Sequence, residues 1–268
     1  MPARADGDFV QSLERGLAVI KAFGPQARSL TLADVARRSG LTRASARRFL
    51  ITLERLGYVC VDGQKFSLRP RVLELGYSYL STLGIDEVAV PHMEKLVAEL
   101  CESSSLAVLD GDDITYVARV PTTRIMTVVI ALGSRFPAYV TSMGRVLLSD
   151  LDPGQLDAYL GRVAPVAFTD LTVTDSDALR KLVGEAAICG YAIVDQELEA
   201  GLRSAAVPVR DHSGRAVAAL NMSAHASRTS VSELRERFVP RLLEAASNIE
   251  SDLREQAPIL STRLKLNS

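Results

Sequence analysis

Thr42, Arg43, Ser45, Arg47 and Arg48 fall within seven consecutive residues, and together they carry the groups that read DNA. A guanidinium fork matches the O6 and N7 acceptors of guanine, and a hydroxyl bonds a phosphate or a base edge. The surroundings have the charge for it. Residues 26–71 hold ten basic side chains (Arg28, Arg37, Arg38, Arg43, Arg47, Arg48, Arg55, Lys65, Arg69, Arg71) against three acidic ones (Asp34, Glu54, Asp62), a net of +7. The whole chain is −1, so everything outside that segment sums to −8. Such asymmetry points to a segment that binds a polyanion, whereas a merely solvated face mixes its signs.

These residues need elements to hold them. Val10 to Phe23 spaces Leu13, Leu17, Ile20 and Phe23 for a helix, which Gly24-Pro25 stops. Thr31 is placed to cap a second helix through the N–H of Asp34. Leu32, Val35 and Ala36 face inward from it, and Gly40 ends it in the left-handed conformation. Thr42 caps a third helix that runs to about Leu56, buried along Ala46, Phe49, Leu50, Leu53 and Leu56 and closed by Gly57. Two short helices about a Gly-containing turn are a helix-turn-helix. Tyr58–Val61 and Lys65–Leu68 then read as strands about Asp62-Gly63, a hairpin. Three helices followed by a hairpin make a winged helix. Its third helix is the reading element, with Arg43, Ala44, Ser45, Arg47 and Arg48 exposed near its start. Lys65 on the wing, with Arg69 and Arg71 behind it, is expected to meet phosphates. The expected DNA contacts are Thr31, Thr42, Arg43, Ala44, Ser45, Arg47, Arg48 and Lys65.

The 268 residues suffice for two domains. No apolar run approaches the ~18–20 residues of a membrane span, and the N-terminus lacks a signal-peptide core, so a cytoplasmic location with no membrane partner is expected. Cys60, Cys101 and Cys189 are scattered, with no zinc or disulfide spacing. They are expected as buried thiols, and His92, His212 and His225 as surface imidazoles. No phosphate loop, HExxH, GxSxG or metal-spaced carboxylate pair is present. Asp110-Gly111-Asp112-Asp113 lacks the glutamate of a calcium loop and reads as a hairpin turn. No enzymatic activity, metal or cofactor is expected.

Pro70 opens an apolar-rich stretch (Val72, Leu73, Leu75, Tyr77, Leu80, Leu83) that reads as a linker helix. It is too apolar to be solvated on all sides, so it is expected to pack on a partner subunit or the next domain. Beyond Gly84, helices at 85–101, 142–148 and 177–189 alternate with strands at 106–109, 114–118, 125–131, 191–195, 203–209 and 216–222. A long helix at 232–255 closes the chain. Hairpins with flanking helices give an α+β domain with a largely antiparallel sheet. A ligand pocket is the better use of this domain than catalysis. Gly133, Gly144 and Gly201 let backbone approach a ligand, and Thr141, Ser142 and Ser204 supply hydroxyls. A ligand carboxylate calls for an arginine, and Arg124, Arg145 and Arg203 are the candidates.

Several runs together resemble the IclR-type bacterial transcriptional regulators. They are Ser12-Leu13-Glu14-Arg15-Gly16-Leu17-Ala18-Val19-Ile20, Leu41-Thr42-Arg43-Ala44-Ser45-Ala46-Arg47-Arg48-Phe49-Leu50, Leu53-Glu54-Arg55-Leu56-Gly57-Tyr58-Val59, Leu132-Gly133-Ser134-Arg135-Phe136-Pro137, Thr141-Ser142-Met143-Gly144-Arg145-Val146, Asp195-Gln196-Glu197 and Gly201-Leu202-Arg203. The resemblance spans about residues 9–255. It implies a winged helix-turn-helix at 9–69, a linker helix at 70–84, a GAF-like α+β effector-binding domain at 85–255 and a tail at 256–268. Residues 124–150 look most like the branch that governs aromatic-acid catabolism, the protocatechuate and β-ketoadipate regulators. The resemblance favours Arg124, Thr141, Ser142, Met143, Gly144, Asp195, Arg203 and Ser204 for the effector, a small organic acid, aromatic or dicarboxylic. Many relatives carry Cys where Ser204 stands, which changes the polarity of the pocket. A homodimer, commonly paired into a tetramer, and a double-stranded DNA operator are implied, with RNA polymerase a further candidate partner. Two rival readings are a ligand-independent architectural DNA-binding protein and an enzyme with a DNA-binding appendage.

Overall fold

The structure, a computed structural model, describes residues 9–24, 27–75, 85–122 and 130–266, with side chains through 255. Arg124, most of the expected strand at 125–131 and linker positions 76–84 lie outside the described residues. The chain divides into two compact units, Met1–Thr82 and Leu83–Ser268.

In the first unit, helices α1 (Gln11–Lys21), α2 (Leu32–Ser39) and α3 (Arg43–Arg55) enclose a core of Val19, Ala22, Phe23, Val35, Ala36, Ala46, Leu50 and Leu53. The expected stripe on α1 divides. Ile20 and Phe23 pack inward, but Leu13 and Leu17 are exposed, as are Phe9 and Val10. Leu56 is also exposed rather than buried, because α3 ends at Arg55 and Leu56 forms its C-cap. Both expected caps form. The Thr31 hydroxyl accepts from Asp34 N at 3.3 Å and completes a capping box, and Thr42 accepts from Ser45 N at 3.2 Å. Gly40 sits at φ +67°.

Three strands form the wing, β1 (Ser29–Thr31), β2 (Val59–Asp62) and β3 (Lys65–Leu68), in the order β1-β3-β2. Asp62 pairs with Lys65, so the two-residue turn is Gly63-Gln64, one position later than expected. β1 has no period-2 signal of its own; its partner β3 makes it a strand, with Thr31 opposite Lys65. After a 3-10 turn at Pro70–Leu73, Glu74 and Leu75 are helical.

The second unit is built on a six-stranded antiparallel sheet. In chain order its parts are α4 (Ile85–Leu100), β4 (Ser103–Asp110), β5 (Asp113–Val120), β6 (Arg135–Pro137), α5 (Ser142–Leu148), α6 (Pro153–Arg162), α7 (Ser176–Cys189), β7 (Ala192–Asp195), β8 (Leu202–Arg210) and β9 (Ala216–His225). The sheet order is β6-β5-β4-β9-β8-β7. One face carries Leu106, Val207, Leu220 and Met222, fully or nearly fully buried. The other carries Ala107, Tyr116, Ala206 and Ala219, which form a core with Met143, Val146 and Leu147 of α5 and with Tyr159, Leu179 and Val183. Helix α6 was not foreseen, although Asp152 and Gln155 form a capping box with Pro153 at its first position.

The closing helix is unbroken from Val231 to Leu266 but changes its winding once. A single turn α8 (Val231–Glu233) passes through a π-turn at Leu234–Phe238 into α9 (Val239–Leu266). Leu234 and Phe238, at the two ends of that turn, are both buried. α9 continues beyond 255 into the segment expected as a tail. The cysteines also depart from expectation. Cys101 and Cys189 are exposed and Cys60 is half-buried, because Cys101 sits in a left-handed linker position at φ +57° and Cys189 at the outer end of α7. His92 is partly covered and bonded to Asp252 at 2.8 Å.

Candidate functional site

The N-terminal unit presents basic side chains on α3 and on the wing. Thr42, Arg43, Ala44, Arg47 and Arg48 are exposed on α3 and Ser45 is half-buried. Ala46, Leu50 and Leu53 anchor the opposite side of the helix in the core. Among the described residues, Arg43, Arg47 and Arg48 have no ion pair or side-chain hydrogen bond. The first turn of α3 holds no acidic residue, so nothing there competes for an approaching phosphate. Lys65 is exposed on the wing beside Thr31. Thr31 itself is occupied, since its hydroxyl both accepts from Asp34 N and donates to Asp34 Oδ2 at 2.7 Å. The Thr31 hydroxyl and the Thr31 backbone N–H, which also donates to Oδ2, hold the Asp34 carboxyl below the usual carboxylate range. Arg71 is tied to its own unit, with bonds to Leu56 O and Glu74 and a stack on Tyr58. Arg38 donates to Ala22 O at 2.7 Å.

In the C-terminal unit a small cavity opens between the sheet and α5. Its polar lining is Thr141, Ser142, Ser204, Asn221 and Ser223 with Tyr116, and its apolar lining is Ile130, Val140, Met143, Val194, Leu198 and Leu202. The Ser142 and Ser204 hydroxyls share a hydrogen bond of 2.8 Å, which joins α5 to β8. Thr141 caps α5 through Gly144 N at 3.0 Å. Asn221 accepts from Ser105 N at 3.0 Å and donates to Ser223 at 3.2 Å. Ser204, Ser223 and Ser103 are direct cross-strand neighbours, so a row of hydroxyls crosses three strands on one face. The space open to water is about 20 Å³, room for a single water molecule. An aromatic ring enters only if these walls part.

The expected effector residues separate into two groups. Thr141, Ser142, Met143 and Ser204 line the cavity. Gly144, Asp195 and Arg203 do not, and Arg124 lies outside the described residues. Gly144 serves packing, since a Cβ there would lie 2.0 Å from Ala138 O. Gly201 is likewise filled by protein, with His225 beside it. Arg203 donates to Asp195 at 2.5 and 3.2 Å and to the carbonyls of Ala226 and Thr229. Arg145 is buried, giving Nη2 to Glu197 at 2.6 Å and Nε to Tyr139 O at 3.0 Å. Neither guanidinium is available to a ligand carboxylate.

Sequence reasoning missed Tyr116, Asn221 and Ser223. The signal for two of them was present. Asn221 and Ser223 are polar residues at alternate positions of the apolar strand Ala216–His225, and both are buried. Buried polar side chains on one strand face mark a site or a network. Tyr116 is a core aromatic by pattern, and only the fold brings it to the cavity. Burial pushes its hydroxyl up to about 12, so it stays protonated and able to donate.

Residues 12–63 match the IclR helix-turn-helix domain, and residues 77–251 match the C-terminal domain of bacterial IclR transcriptional regulators. The Pca regulon regulatory protein of Pseudomonas putida is 46% identical over 245 residues, 91% of this chain and 84% of that protein. A crystal structure of a transcriptional regulator from Rhodococcus sp. RHA1 is 53% identical, with a TM-score of 0.82 over 92% of this chain and 99% of that one. An IclR homolog from Microbacterium hydrocarbonoxydans, solved with 4-hydroxybenzoate, is 29% identical, with a TM-score of 0.80 over 91% of this chain and 100% of that one. These relatives are transcriptional regulators rather than enzymes, and no described helix is long and apolar enough to cross a membrane. The two family matches together span most of the chain, and the chain belongs to the IclR family of bacterial transcriptional regulators.

Proposed function

We propose that the protein reads a roughly palindromic operator as a dimer and that a small aromatic acid, bound in the C-terminal unit, sets its affinity for that operator. The genes controlled are those of a catabolic operon for such acids. One observation carries the DNA-reading half: α3 holds Arg43, Arg47 and Arg48 in solvent with no ion pair among the described residues. An unpaired guanidinium keeps both its charge and its donor geometry for bases and phosphates. The sensing half is supported by the half-polar cavity lined by Ser142, Ser204 and Asn221 and by the relative solved with 4-hydroxybenzoate. Self-association is supported by Phe9, Val10, Leu13 and Leu17, an exposed apolar face that a second copy would cover. A chain that reads an operator works in the bacterial cytoplasm and carries out no reaction of its own.

An effector must bind the two states of the regulator unequally. Fluorescence anisotropy on an operator fragment, titrated with 4-hydroxybenzoate, protocatechuate and β-ketoadipate, tests this. At least one acid is expected to shift the operator Kd by about fivefold or more and to raise the melting temperature. If all three leave both quantities unchanged, the aromatic-acid reading is lost and a ligand-independent DNA-binding protein remains.

A further inference from the structure

The carboxylate of an aromatic acid needs a cationic partner, and the two described arginines that the sequence put forward are already occupied by Glu197 and Asp195. A third arginine is not. Arg119 lies on β5, half-buried, and among the described residues no hydrogen bond or ion pair engages its guanidinium. It is costly to cover an arginine partly and leave it without an anion. Burial pulls the guanidinium below its usual range.

Strand geometry decides which way Arg119 faces. In a regular strand, residues three apart point to opposite faces, so Arg119 would look away from Tyr116 and the cavity. β5 is not regular. Leu106 pairs with Ala118 while the next residue, Ala107, pairs with Tyr116, so Val117 is an extra residue in the ladder. Such a bulge shifts the alternation by one position and re-aims the side chains that follow. Arg119 is therefore opposite Ser105, which is opposite Asn221, and direct partners in an antiparallel sheet share a face. Tyr116 and Arg119 are electrostatic neighbours, each biasing the other's ionisation. Tyr116 and Asn221 both line the cavity.

We infer that Arg119, turned onto the cavity face by the bulge at Val117, receives the carboxylate of the effector. This rests on the reading of the cavity as the effector site. The acid enters with its ring against the apolar wall of Val140, Met143 and Val194. Its carboxylate meets Arg119 and the Tyr116 hydroxyl. A ring hydroxyl at the far end meets the Ser142 and Ser204 pair.

Calorimetric titration of the full chain with 4-hydroxybenzoate and its neutral analogue 4-hydroxybenzamide tests the assignment. The wild type is expected to prefer the acid. Arg119→Gln is expected to weaken acid binding by about 10- to 100-fold and to leave the amide within about twofold, which erases the preference. Arg119→Lys, which keeps the charge and loses the fork, should fall between. The acid-to-amide ratio is internal to each variant, so a general loosening of the fold does not imitate the result. Asn221→Leu should weaken both ligands and keep the preference. If Arg119→Gln retains the wild-type preference while Asn221→Leu loses affinity, the cavity stands and the anchor is wrong. Arg124→Gln erasing the preference in place of Arg119→Gln overturns it equally. If neither Arg119→Gln nor Asn221→Leu changes binding, or the wild type binds neither ligand, the cavity reading falls and the anchor falls with it.

Discussion

In the N-terminal unit α3 holds Arg43, Arg47 and Arg48 in water with no ion pair among the described residues, while in the C-terminal unit Arg145 is buried against Glu197 and Arg203 is held between Asp195 and two carbonyls. The same side chain performs opposite tasks. On α3 the absence of a partner preserves the field and the donors for a ligand that arrives from outside. In the sensor unit the guanidiniums of Arg145 and Arg203 act as internal fasteners, joining α5 to the loop after β7 and β8 to β7. Partnering, more than sequence position, separates the arginines left open on α3 from those that build the C-terminal unit.

Four substitutions press on that distinction. Arg145→Ala strands the Glu197 carboxylate, whose side chain is only 9% exposed. It is expected to lower stability by about 3–5 kcal/mol, read by urea denaturation. A loss below about 1 kcal/mol would mean that water reaches the pair and that the contrast is overdrawn. Arg47→Ala and Arg48→Ala should each weaken operator binding by about 1–3 kcal/mol, with stability changed by no more than about 0.5 kcal/mol. Anisotropy at two salt concentrations separates base from phosphate contacts, because losing a phosphate contact lowers the salt slope by about 1. Unaltered binding at low salt removes them from the interface. Thr42→Ala, which deletes the cap of α3, is expected to cost about 1 kcal/mol of stability. Thermal melting detects it, and an unchanged midpoint would show that water caps the helix equally well.

Much of the N-terminal unit was legible because its signals are local. Thr31, Asp34, Gly40 and Thr42 each act within four residues of themselves, and all of them form the caps their types imply. The expectations that failed there concerned surfaces and pairings. Leu13 and Leu17 fit a helix period that says nothing about which side meets a core, and β1 exists only because β3 lies beside it. The sensor cavity was half legible. Thr141, Ser142 and Ser204 belong to runs that could be read directly. Asn221 and Ser223 required attention to polarity inside an apolar strand. Arg119 was beyond reach, because a single extra residue at Val117 inverts the alternation from which its direction would be read. Arg145 and Arg203 looked suitable for a ligand since their acids, Glu197 and Asp195, lie 52 and 8 residues away in sequence.

The pairing of Thr31 with Lys65 has a mechanical side. β3 lies between β1 and β2, and β1 runs without a break into the residue that caps α2. The wing and the first turn of the helix-turn-helix therefore share one backbone ladder, and neither can swing without tearing it. The wing and the start of α2 thus move as one piece.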